Sequence, residues 1–320
     1  MATATTSSSD RRRRRHYLIT GGSEGIGAAL VSQLVATEQN PKISIVGRSR
    51  DKFDKYQKEL LTNAEQRQCC LTFYQYDLSL MHEVKALAAE LEKSAEPLHA
   101  IVHCAGVMLP QRTVTKEGLE TVFALQFLAR FYLNHLLAPL LLKNSHEQEE
   151  KPVVVVVSAG GSITRHPSQL DWDNLQGEKS YNGVHALKHE SIANDMQMLR
   201  YQQLHPKIEW YCYGPGYVGD TQLLAAMPTA FRWMAGMAGH VIGISAQQAA
   251  KNIMLLLVDD GQAKREETNH QSVLYQRGLK AADERKIKRR MQTENQEKLF
   301  RVSQELLKTV DITIDMYVVP

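Results

Sequence analysis

The sequence predicts an α/β fold: a single Rossmann-type doubly wound parallel sheet with helices on both faces. Three observations carry that prediction. Short β-branched runs alternate with longer amphipathic stretches, a glycine-rich turn follows the first run, and Val153 to Val157 is valine at every position. A strand apolar at every position is buried on both faces, which places it centrally in a parallel sheet.

In chain order, strands are expected at His16–Thr20, Lys42–Gly47, Leu71–Asp77, Ala100–His103, Val153–Ser158 and Glu209–Tyr213. Helices are expected at Gly27–Glu38, Asp51–Gln66, Met81–Glu92, Thr121–Leu142, His185–Leu204 and Ala246–Leu257. Leu223 to Ile244 is the most apolar loop, interrupted by Pro228, Arg232, His240 and several glycines. It reads as a substrate-side flap, with shallow membrane contact as a lesser role. No Pro/Gly/Ser-rich linker divides the chain, so residues 16–320 read as one domain. Its charged C-terminal extension, for example Asn295–Lys308, is expected to pack on the outside. Residues 1–15 read as a disordered Ser/Thr/Arg-rich tail rather than a transit peptide, because a strand at His16 leaves almost no spacer for cleavage.

The 320 residues include 38 Lys and Arg against 35 Asp and Glu, a net charge of +3. Setting aside Arg11 to Arg15 leaves 33 basic residues against 35 acidic ones, so the body of the chain is not basic. Such a balance argues against a nucleic-acid footprint across the fold; the Arg11–Arg15 run leaves nucleic acid or a membrane surface as a secondary partner of the tail alone. Cys69, Cys70, Cys104 and Cys212 have neither a metal-site spacing nor that of a disulfide framework, and they imply a reducing, cytoplasmic compartment. No stretch approaches the roughly 18 consecutive apolar residues of a membrane span.

Thr20-Gly21-Gly22-Ser23-Glu24-Gly25-Ile26-Gly27 follows the first strand and opens the first helix. Gly21 permits the tight turn, Gly25 lets backbone N–H groups approach a pyrophosphate, and Gly27 allows close helix–sheet packing. The phosphates then meet the positive end of the helix dipole. At the end of the second strand the chain reads Gly47-Arg48-Ser49-Arg50, with no acid before Asp51. Arg48 can fork onto a ribose 2′-phosphate, with Arg50 as a second donor, so NADP(H) is the expected cofactor.

These motifs resemble those of the short-chain dehydrogenase/reductase family. Thr20 to Gly27 is similar to its T-G-x-x-x-G-I-G turn, and Asp77-Leu78 to its adenine-contacting pair. Cys104-Ala105-Gly106 resembles the end of its N-N-A-G motif, with His103 and Cys104 in place of the asparagines. Pro215-Gly216-Tyr217-Val218 resembles its P-G-x-V segment near the nicotinamide. The threonine that follows there stands one place late, at Thr221. Ala105 to Met108, Leu175 to Lys179 and Leu299 to Leu306 are similar to the retinol-dehydrogenase-like branch.

The resemblance implies a catalytic set of Tyr as proton donor, Lys four residues later, Ser polarising the carbonyl, and Asn in a proton relay. In the register fixed by Leu175–Lys179, those positions hold Leu187, Ser191, Ala159 and Gln126. Leu187 has no proton to donate, Ser191 is too short to replace Lys, and Ala159 cannot polarise a carbonyl. Tyr181 with His185 repeats the i, i+4 spacing six residues early and is the weaker substitute. Ser158 survives beside Ala159, yet strand alternation is expected to turn it to the other side of the sheet. His185, His189 and Glu190 are expected on a solvated helix face, without a metal. Lys188 lies about 100° around the helix from Leu187.

Two functions follow. One is an NADP(H)-binding protein without ordinary carbonyl reduction: a redox sensor, scaffold or subunit. The other is an NADPH-dependent oxidoreductase, or a template-type isomerase or cyclase, acting on an apolar, already activated substrate such as an iminium or enone. A site lined by Leu187, Ala159, Met227, Trp233 and Met234 would suit the second. The resemblance further implies a homodimer through the helices carrying Gln126 and Leu187.

Overall fold

The computed structural model describes residues 14–66, 69–145, 151–158, 170–257, 273–276, 279–281 and 292–314. Its strands are β1 (His16–Thr20), β2 (Lys42–Gly47), β3 (Cys70–Gln75), β4 (Ala100–His103), β5 (Val153–Val157), β6 (Glu209–Gly214), β7 (Leu274–Gln276) and β8 (Lys280–Ala281). They form one sheet in the order β3-β2-β1-β4-β5-β6-β7-β8. All neighbours are parallel except β7 and β8. The sheet is the expected one, extended by the two short strands β7 and β8.

Alternation along each central strand feeds two cores. Leu18, Ile101 and Val154 are register partners in one; Ile19, Val102 and Val155 are partners in the other. This explains the all-valine strand: β5 lies between β4 and β6 and buries both faces.

On one face lie α1 (Gly25–Thr37) and α2 (Arg50–Gln66), together with a later helix, Ala246–Leu257. On the other lie α3 (Met81–Lys93), the continuous helix α4 (residues 121–145) and α5 (Gly183–Leu204). Within α4, Ala124–Leu128 is a π-helical segment, a feature frequent at functional sites. The span Thr121–Lys143 is long and apolar enough to cross a membrane. However, 72% of its most apolar window is packed inside the fold, as in a core helix.

The segment read as a loop contains a helix, α6 (Thr229–Ile242), followed by α7, the helix at Ala246–Leu257. Pro228 opens α6 at its edge instead of breaking it, as proline does where an N–H would be unpaired anyway. The C-terminal helix α8 (Thr293–Lys308) does more than wrap the outside. Leu299, Phe300 and Leu307 enter the core, and Phe300 meets Phe131 edge-on at 5.0 Å. Residues 1–13, including most of the Arg11–Arg15 run, lie outside the described residues.

Candidate nucleotide-binding site

At the carboxyl ends of β1, β4, β5 and β6 a cavity of about 400 Å3 opens, where the strand order reverses between β1 and β4. The β1–α1 turn supplies Gly21, Glu24, Gly25 and Ile26 to its wall, and the segment after β4 supplies Cys104, Ala105 and Gly106. Pro215 to Val218 after β6 face them. The structure therefore gathers three separated sequence motifs into one cleft.

The turn is shaped by backbone contact. Gly21 (φ 67°) and Gly25 (φ 54°) take the left-handed conformation. A Cβ on Gly21 would stand 2.8 Å from the Ala105 nitrogen, and one on Gly27 only 2.3 Å from the Gly21 carbonyl oxygen. Gly27 thus closes the turn on itself more than it packs helix on sheet. Thr20 lies behind the turn, its hydroxyl accepting from the Ala105 N–H at 3.3 Å. Ser23 reaches toward the end of β2, 3.7 Å from where a Gly47 side chain would start.

The start of α1 suits an anion. Glu24 makes no side-chain cap bond and the first turn has no acid; the Glu24 carboxylate turns to Lys52, 2.8 Å away. Arg48, at the end of β2, is exposed, and no partner for its guanidinium is seen among the described residues. Arg50 is committed elsewhere: its Nε donates to Asp54 at 2.9 Å and its guanidinium lies 5.6 and 5.7 Å from the Phe53 and Phe73 rings. Asp77 falls beyond β3, in a turn where its Oδ1 accepts from the Ser79 N–H and hydroxyl, and Leu78 is buried. These residues fit a dinucleotide: a side-chain-free cradle, an uncapped helix N-terminus and an unpaired cation beside it.

The deep end is different. Gln126 sits in the π-helical segment, its Nε2 donating to the Val107 carbonyl at 3.0 Å and its Oε1 filling the space a Gly106 side chain would need. Its own carbonyl accepts from Asn194 Nδ2 at 2.8 Å. Leu187 lies in the cavity wall, packed with Met108 and Val122 and against Met227 and Phe231. Ser191 points away into the protein, donating to the Leu187 carbonyl at 2.7 Å and lying 2.9 Å from Glu190 Oε1. Ala159 lies outside the described residues.

Several expectations change. Ser158, expected on the other side of the sheet, lines the cavity; β5 ends at Val157, so alternation no longer governs the next residue. Trp233 and Met234, expected in the site, are exposed, because α6 turns Phe231 and Ala235 inward. His189 and Glu190, read as solvated, are buried between α5 and its neighbours. Tyr181 and His185 line a separate small recess with Glu120 and His189 rather than the cavity. Burial and the Glu120 carboxylate hold the Tyr181 phenol well above its usual range, which suits a proton donor poorly. The His185 and His189 rings lie 4.9 Å apart, tilted by 41°, and no group of three metal-ligating side chains occurs among the described residues.

Arg130 was missed. One helical turn beyond Gln126, it reaches the cavity wall as a buried cation; Nη2 donates to the Ala105 carbonyl at 2.9 Å and Nη1 lies 3.8 Å from Glu190. Glu190 in turn accepts from Asn194 Nδ2 at 2.6 Å. The signal was a cation four residues from Gln126 and an acid adjoining Ser191, but only tertiary packing joins them. The displaced Thr221 is also explained: Asp220, which precedes it, accepts from the Ala246 N–H at 2.7 Å and caps α7. Thr221 still meets the glycine turn, its methyl 3.2 Å from a Gly25 Cβ position.

A family model described as short chain dehydrogenase matches residues 15–168. Human retinol dehydrogenase 11 is 26% identical over 244 residues, spanning 76% of this chain and 72% of that protein. Dehydrogenase/reductase SDR family member 12 of Bos taurus is 26% identical over 212 residues, 66% of this chain and 63% of its own length. The Danio rerio polyprenol dehydrogenase is 28% identical over 180 residues, 55% of this chain and 52% of that protein. Among solved structures, a short-chain type dehydrogenase/reductase from Mycobacterium ulcerans matches with TM-score 0.57 at 20% identity, covering 78% of this chain and 85% of the other. An alcohol dehydrogenase from Thermococcus sibiricus, complexed with 5-hydroxy-NADP, matches with TM-score 0.56 at 16% identity over 77% and 91%. These two share the fold. Sheet order, glycine turn and relatives agree: over residues 15–168 the chain matches the short chain dehydrogenase family, and it is similar to retinol-dehydrogenase-like members of that family.

Proposed function

We propose that this protein binds NADP(H) and does not perform ordinary carbonyl reduction. The observation that carries the reading is Leu187: an aliphatic side chain stands in the cavity wall where the family's proton donor is expected. Its neighbours do not replace it. The Ser191 hydroxyl is turned away from the cavity onto the Leu187 carbonyl and Glu190. Burial pushes the Cys104 thiol up to about 12. Arg130 is cationic and held by Ala105 and Glu190. Bound NADPH would supply a hydride, but none of these residues is placed to hand a proton to the oxygen that hydride transfer leaves charged. Preference for NADP(H) over NAD(H) rests on the exposed, unpaired Arg48 and the lack of an acid at the end of β2. Asp77, Leu78, Pro215, Gly216 and Val218 would complete the nucleotide site.

A second reading is favoured by the apolar wall formed by Met108, Leu187, Leu223 and Phe231. Such a wall suits an apolar acceptor that is already activated, an iminium or enone, for which proton donation matters less, or a substrate held for isomerisation or cyclisation.

Calorimetric titration with NADPH, NADP+ and NADH, followed by turnover assays on aldehydes, ketones, enones and iminium ions, tests both readings. Binding of NADPH with no turnover supports the first, and oxidation of NADPH only by activated acceptors supports the second. Failure to bind any nicotinamide nucleotide would overturn both.

A further inference from the structure

Five large hydrophobic side chains are exposed among the described residues, and three of them, Trp233, Met234 and Met237, stand on α6. At i, i+1 and i+4 they share one side of the helix, while Phe231 and Ala235, about a third of a turn round, line the cavity. The helix that closes the cavity thus carries a second apolar face turned to solvent. From Thr221 to Val258 the sequence has no Asp or Glu, and its charges are the cations Arg232 and Lys251. Arg232 is itself exposed beside Trp233.

We propose that the outer face of α6 docks onto an anionic lipid surface and brings the mouth of the apolar cavity to it. A tryptophan, flexible methionines and an adjacent arginine on one short helix match an interfacial helix, whose apolar side enters the acyl boundary while the cation meets headgroup phosphate. A protein partner is less well matched, because charge complementarity across its polar rim would call on acids as well as cations, and the acid beside this face, Asp220, is engaged by the Ala246 N–H. Docking would let an apolar molecule pass from bilayer to cavity past Leu223 and Phe231 without crossing water. The inference goes beyond the proposed function and holds whether or not the bound cofactor turns over.

The test is co-sedimentation of the full chain with phosphatidylcholine vesicles with and without phosphatidylglycerol, beside the triple variant Trp233→Gln, Met234→Gln, Met237→Gln. The wild type is expected to pellet with the anionic vesicles. The variant should lose about tenfold or more in affinity, with unchanged NADPH binding and Tm, since the replaced side chains are exposed and glutamine favours helix. Three results would overturn the proposal. One is no vesicle binding by the wild type. Another is equal binding by both proteins, abolished when residues 1–15 are deleted, which would assign it to the Arg-rich tail. The third is a wild-type dimer that dissociates in the variant while vesicles are ignored.

Discussion

Arg48 and Arg50 stand two residues apart, yet their surroundings give them different tasks. Arg50 is tied to Asp54 and laid against two phenylalanine rings, whereas the Arg48 guanidinium is exposed beside the cradle. Arg48→Ala should weaken NADPH binding by about ten- to a hundredfold, the loss of one charge-assisted phosphate contact, while NADH binding stays nearly level. Arg50→Ala should change neither by more than a few fold; equal loss for both cofactors in Arg48→Ala would remove the basis of the preference. Arg130 makes a second case. Arg130→Met would leave Glu190 buried without its cation, and urea unfolding should register a loss of about 3–5 kcal/mol. In Arg130→Met/Glu190→Gln much of that loss should return; strictly additive losses would mean the pair does not interact.

At the scale of elements, the β1–α1 turn and β5 could be read directly. A glycine turn bracketed by apolar runs has few alternatives, and five consecutive valines require a strand covered on both faces. Gly27→Ala should abolish nucleotide binding while far-ultraviolet circular dichroism stays close to wild type, because its Cβ would collide with the Gly21 carbonyl inside the turn itself. Retained binding would show that the turn can open. Other elements were hidden for physical reasons. Gly236 and Gly239 blur the 3.6-residue pattern of α6, and β7 and β8 are too short to show alternation. The Arg130–Glu190 pair joins α4 to α5, and a charge on an isolated helix defaults to the surface until its neighbour is known. Trp233 and Met234 face solvent instead of the cavity for the same reason: the side a helix turns inward is set by what it packs on.

For the whole molecule, acid should be destabilising in a defined window. His16, at the start of β1, is lowered by burial and Lys42 to about 4, and His103, at the end of β4, by burial and Arg130 to about 3. Unfolded, both would take up protons near 6.5, so between that pH and about 4 the unfolded chain holds more protons and stability falls as pH falls. The limiting slope is about 1.4 kcal/mol per pH unit for each histidine. Urea midpoints measured from pH 7 to 4.5 should follow this decline, and His103→Gln should flatten it; a wild-type profile level across that range would contradict the assignment.

The same whole-molecule view joins an accommodating nucleotide cradle to a cavity wall in which Leu187 stands where a proton donor is expected. The most direct measurement is the rate of carbonyl reduction at saturating NADPH for the wild type and for Gln126→Asn/Ala159→Ser/Leu187→Tyr/Ser191→Lys. In that variant a lysine at position 191 would adjoin the Glu190 carboxylate, and a tyrosine at 187 would enter the cavity wall. The account predicts a wild type at the uncatalysed background and measurable reduction by the quadruple variant. Reduction of simple ketones or aldehydes by the wild type at rates of about 1 per second or faster, ordinary for enzymes, would contradict it.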